Sequence, residues 1–148
     1  MTRFWLTRQK HGFVLIEVML VVILIAILSI IVIPRLLGTG RRAREASLKG
    51  DLKQIREAIE RFEGDCYAYP PRLEDLMAQS GDDISADVDG RGLAVDRRAF
   101  KGPYLVTSGG LPKDPFTGET DWSYDNTTGE VHSSSTAVGI NHTPYAQW

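Results

Sequence analysis

From Phe13 to Ile33 the chain runs 21 residues with only two polar side chains, Glu17 and Ser29. At about 1.5 Å per residue, a helix of that length is roughly 31 Å long, close to the ~30 Å hydrocarbon core of a bilayer. Everything beyond Arg35 reads as ordinary polar sequence, so the 43% hydrophobic content of the 148 residues is unevenly spread. A secretory signal peptide has an apolar core of about 7–15 residues followed by a small-residue cleavage site. Here the core is longer, and "LLGTGRRA" beyond it is a poor site of that kind. A plain transmembrane anchor fits the length but leaves Glu17 unexplained, because a carboxylate inside an apolar span is costly unless it is paired. A third reading is a signal cut on the near side of the apolar run.

The residues at the near edge favour the third reading. "KHGFVLIE" gives a short basic leader ending in Gly12, then Phe13, then a glutamate five positions after the break. Glycine lacks a side chain, so an extended peptide can enter a narrow protease cleft there. With Pro34 late in the apolar run, the stretch from Lys10 to about Phe62 strongly resembles the type IV prepilin family, including the pseudopilins of type II secretion. The resemblance implies that a membrane prepilin peptidase cuts between Gly12 and Phe13 and N-methylates Phe13. It also implies that Glu17 of one subunit neutralises the Phe13 amino terminus of its neighbour as a filament grows. The competing reading of Glu17 is a side chain snorkelling to the headgroups from an isolated helix. Charge counting does not orient the segment. The leader offers Arg3, Arg8 and Lys10, whereas the far side offers Arg35, Arg41, Arg42 and Arg44. A cytoplasmic leader is implied by the resemblance alone.

Past Pro34 a helical period resumes. Leu48, Leu52, Ile55, Ile59 and Phe62 recur at spacings of four and three, an apolar stripe on a charged helix. Glu57 precedes Arg61 by four, a favourable pair, and Gly64 is the expected stop. One helix of roughly 50 residues is expected, half apolar throughout and half amphipathic. Pro34, Gly38, Gly40 and Gly50 interrupt it; proline costs about 3 kcal/mol in a helix interior and glycine up to about 1. Pro34, Gly38 and Gly40 therefore mark the expected joint, the stretch cheapest to extend. Arg41, Arg42 and Arg44 read either as a solvated or headgroup-facing surface or as inter-subunit ion-pair partners.

The remainder reads as a small head. "CYAYPPRLEDLMAQS" predicts a turn at Pro70-Pro71 and a short helix through Leu73, Leu76 and Met77. "GDDISADVDGRG" reads as a solvated acidic loop carrying Asp82, Asp83, Asp87 and Asp89, and it lacks the spacing and closing glutamate of an EF-hand. "GPYLV" reads as a strand, and "DWSYDNTTGEVHS" as a hairpin with Trp122 and Tyr124 alternating and a turn ending at Gly129. "LPKDPF", Leu111 to Phe116, resembles the Leu-Pro-x-Asp-Pro-aromatic stretch of major pseudopilin heads. The acidic C-terminal loop with which some major pseudopilins bind calcium has no counterpart after Asp125.

Chemistry of the chain's own does not emerge. His11, His132 and His142 are isolated, Cys66 is the single cysteine, and no phosphate-binding loop or nucleophile elbow occurs. Without the three leader cations the balance is 14 basic against 19 acidic residues, which gives no basic surplus for nucleic acid. No metal or cofactor is expected. The expected fold is α+β and pilin-like: leader 1–12, apolar helix 13–34, amphipathic half 35–64, and a periplasmic head 65–148 with a small antiparallel sheet. The function the resemblance implies is a structural subunit of a type IV pilus-like filament, a pseudopilin of type II secretion, with homo-oligomeric stacking, other pseudopilins, an inner-membrane assembly platform and the prepilin peptidase as partners. The alternatives are a type IV or competence-type pilin, and a monomeric membrane-anchored binding module.

Overall fold

The computed structural model describes the backbone of residues 11–37, 39–107 and 109–148, and side chains throughout except at 11–13 and 31–37. The chain divides into two compact units, through Gly40 and from Arg41 onward.

The first unit is built on α1 (His11–Leu37), 27 residues of continuous helix that pass through Pro34. Val14 to Leu28 and Ile30 are exposed on every side of it. Such a helix has no polar face to give to water, and its apolar surface needs a cover from outside this unit. Side chains are described only for residues 14–30 of the apolar run, roughly 25 Å of helix. Among the described residues no helix is long and apolar enough to cross a membrane. The ends of the expected span, Phe13 and 31–34, lie outside the described side chains.

α2 (Thr39–Cys66) carries the second unit. The expected single helix is thus found as two helical spans flanking position 38, and Gly38 itself lies outside the described residues. Gly40 and Gly50 do not interrupt α2; a Cβ at either would meet nothing within 4 Å. The five stripe residues are all buried, joined by Ala58 and Cys66. Gly64 is not the stop. The helix runs on to Cys66 because that residue is buried in the core, and Tyr67 then takes a left-handed conformation (φ 58°). The Tyr67 N–H donates to the Glu63 carbonyl at 2.8 Å, closing the last turn as a glycine would in an αL cap.

The cover over the stripe is mostly irregular chain. A 3₁₀ turn at Leu73–Met77 supplies Leu73 and Leu76. The only paired strands among the described residues are β1 (Ser123–Asp125) and β2 (Glu130–His132), antiparallel with Tyr124 opposite Val131. The expected hairpin is therefore present, and Val131 and the preceding Trp122 reach the core. Gly129 closes it with φ 75°, where an added Cβ would also strike the Tyr69 ring. The strand expected at "GPYLV" is absent. Tyr104 and Leu105 both donate their N–H groups to the Leu76 carbonyl, so this segment is pinned to a turn and cannot pair along a ladder. Phe62 of α2 meets Tyr104 and Phe100 edge-on, at centroid distances of 5.6 and 6.1 Å.

Two substitutions probe this packing by urea unfolding of the head. Phe62→Ala should lower stability by about 3–5 kcal/mol, as expected for emptying a core aromatic site. Gly64→Ala should raise it by up to about 1 kcal/mol, because the position is helical and open.

Candidate functional site

The first unit presents one polar anomaly. Ser29 donates its hydroxyl to the Ile25 carbonyl at 2.7 Å and so satisfies itself within the helix. Among the described residues Glu17 has no comparable outlet. It is exposed, one to two turns into α1, with Val14, Val18, Leu20 and Val21 exposed around it. A carboxylate in that setting accepts only, and the chemistry open to it is pairing with a cation from another molecule or with headgroup water. Gly12, Phe13 and Pro34 lie on the same helix by backbone, and their side-chain positions are outside the described residues.

In the second unit three aspartates are turned inward, although sequence reading assigned no role to any of them beyond the motif membership of Asp114. Asp114, fully buried, accepts the Phe116 N–H at 2.7 Å and the Ser133 hydroxyl, which ties the "LPKDPF" stretch to the end of β2. Phe116 is thereby laid on Tyr145, with ring centroids 4.0 Å apart. Asp75 accepts the Arg72 and Ser85 N–H groups at 2.9 and 2.8 Å, together with the Ser85 hydroxyl. Asp89 accepts the N–H groups of Tyr69, Arg91 and Leu93 and the Arg91 Nε at 2.8 Å.

The solvated reading of the acidic loop holds for Asp82, Asp83 and Asp87, which are exposed, and is corrected at Asp89. Asp89 is buried and not solvated, Asp87 pairs with Arg97 at 2.7 Å, and Asp83 accepts from Ser80. The carboxylates face different partners, and no group of three metal-ligating side chains forms among the described residues. Cys66 is buried, and that burial raises its thiol pKa.

A fourth anchor was missed in the sequence. Glu45, in the second turn of α2, accepts the Tyr145 hydroxyl at 2.8 Å and the Ile140 N–H at 2.7 Å and lies 3.8 Å from Arg41. Arg41 in turn donates to the Val138 carbonyl. The three arginines read as a solvated or headgroup-facing surface or as inter-subunit ion-pair partners are all exposed, and Arg41 is also bonded to the head.

No family model and no solved structure matches the chain. Curated relatives do. The type II secretion system core protein G of Pseudomonas aeruginosa is 38% identical over 71 residues, which cover 48% of this chain and 50% of that protein. The core protein G of Aeromonas hydrophila is 28% identical over 110 residues, 74% of this chain and 69% of the relative. That of Vibrio cholerae is 29% identical over 109 residues, covering 74% and 67%. The chain is similar to type II secretion core protein G. The matched region spans about half the length of the Pseudomonas core protein G and about two thirds of the other two. The core protein G matches accord with the family resemblance expected from the sequence; they cover 48% to 74% of this chain and do not bear on the roles of single residues.

Asp89 sets a pH dependence. Burial by itself would raise its pKa, but three backbone N–H groups and Arg91 outweigh that and hold it below the usual value. A carboxyl depressed in the folded state adds stability above its unfolded pKa of about 3.9 and loses it as pH falls through the lower folded value. Stability of the head should therefore drop as pH is taken below about 4. Asp89→Asn should flatten that part of the curve, as followed by urea midpoints across pH.

Proposed function

We propose that this chain is a pseudopilin, a structural subunit that stacks into a filament serving type II secretion. The observation that carries the reading is the similarity to core protein G, together with Glu17, the single carboxylate of α1, exposed among aliphatic side chains. In this reading the prepilin peptidase cuts between Gly12 and Phe13 and methylates the new terminus. The apolar helix 13–34 anchors the subunit in the bacterial inner membrane in a single pass, with the pilin-like head in the periplasm. Assembly moves α1 from lipid into the filament core among copies of itself. Other pseudopilins and the inner-membrane platform are its partners, and no catalysis is required of it.

Glu17 then serves as the alignment contact. In the bilayer it meets the Phe13 amino group of a neighbouring subunit, and both charges leave water only as a pair. The joint at Pro34, Gly38 and Gly40 lets the two helical spans adjust while subunits pack, since these residues lower the cost of losing helical hydrogen bonds.

Two substitutions test this in cells that carry no wild-type copy. Gly12→Val should abolish processing, seen as a product that keeps its leader by N-terminal mass analysis. Glu17→Val should leave insertion and processing intact, because it removes a charge that costs up to about 3 kcal/mol in the bilayer. Filaments should nevertheless disappear, and normal filaments from that variant would refute the pairing role.

A further inference from the structure

One corner of the head combines features the filament reading does not use. The bonds from Ile140 and Tyr145 to Glu45 draw that carboxylate inward, leaving its side chain 13% exposed. The same bonds, with that of Arg41 to the Val138 carbonyl, hold the 138–140 loop against the start of α2. Val138 and Ile140 remain 42% and 45% exposed. Arg42 and Arg44 are exposed on the adjoining turn, and the only acid between Thr39 and Ala46 is the engaged Glu45. The corner is therefore cationic, with two aliphatic side chains at its edge, the composition of surfaces that sit at a lipid headgroup boundary.

Its position along the chain adds a second constraint. Arg41 follows Ile33 by eight residues, so whatever angle the two units take, it stays within about 28 Å of the end of the apolar run. Two aliphatic side chains fall far short of the ~800 Å² per partner that a stable protein interface buries. Guanidinium groups bind phosphodiester oxygens through paired N–H donors, which suits a phospholipid surface.

We propose that Arg41, Arg42 and Arg44, with Val138 and Ile140, form a docking surface for an anionic phospholipid bilayer. The proposal rests on the reading of α1 as a membrane anchor. The arginines take the lipid phosphates while Val138 and Ile140 enter the headgroup boundary, which seats the head on the membrane before a subunit leaves it.

The test uses the full chain at one copy per nanodisc, in phosphatidylcholine alone or with phosphatidylglycerol added. Amide exchange at residues 138–142 should slow roughly fivefold or more in the anionic discs, the scale expected of arginines near a charged surface. An Arg42→Gln, Arg44→Gln double variant should lose that difference while residues 52–62 stay protected, which shows the head still folded. Equal exchange in both discs, or a difference that survives the double variant, would overturn the proposal. Slowing seen only with two copies per disc would assign the corner to a second subunit and overturn it too. A chain that separates from the discs on gel filtration would instead remove the anchor reading, and the proposal with it.

Discussion

The head is a fold of loops held by buried carboxylates. With two three-residue strands, most of its backbone N–H groups have no ladder to join, and a buried N–H without a partner costs as much as a lost hydrogen bond. Backbone bonds within turns take many of them, and Asp75, Asp89 and Asp114 accept six more. Each sits at 5% exposure or less, and each accepts two or more donors from turns that would otherwise face inward unsatisfied. Together with the backbone bonds of the turns, these anchors hold irregular chain over the apolar stripe of α2.

The two units solve opposite problems. α2 has its hydrophobic stripe covered by its own head, so its outer face can remain charged, with Lys53, Glu57 and Arg61 linked at four-residue spacing. Those exposed pairs add little stability and mostly keep that face wet. α1 has no such cover within its unit, and its exposed aliphatic surface is an interaction surface by its size alone. One helix therefore serves the subunit, and the other serves whatever surrounds it.

The helix stripe and the hairpin were legible in the sequence because hydrophobic periodicity reports burial directly. Leu48, Leu52, Ile55, Ile59 and Phe62 are all in the core, and the turn ends at Gly129 as its neighbours indicate. The aspartates were not legible in the same way. A carboxylate facing water and one facing backbone N–H groups look alike in composition, so the loop holding Asp89 read as solvated. A finer signal was available. Asp89 and Asp114 each accept from the N–H two residues on, as does the exposed Asp125, which is the local turn habit of aspartate. Glu45 offered only its four-residue spacing from Arg41, because its hydrogen-bond partners in the head lie 95 and 100 residues away. "GPYLV" misled because its backbone is tied to a single carbonyl, Leu76, and not along an edge.

The Glu45–Tyr145 bond joins the beginning of the head to its last few residues, a sequence separation of 100. Arg56 adds a second closure of the same kind by donating to the carbonyls of Val131 and Trp148. Contacts this distant in sequence carry a loop-closure cost that local contacts do not. A nascent head emerging N-terminus first has Leu73 and Leu76 to lay on the α2 stripe well before Ile140 and Tyr145 are made to engage Glu45. The helix that anchors the core is made about a hundred residues before the groups that engage its Glu45. Premature termination just ahead of Ile140 would leave Glu45 without two of its partners and Phe116 without the ring it stacks on.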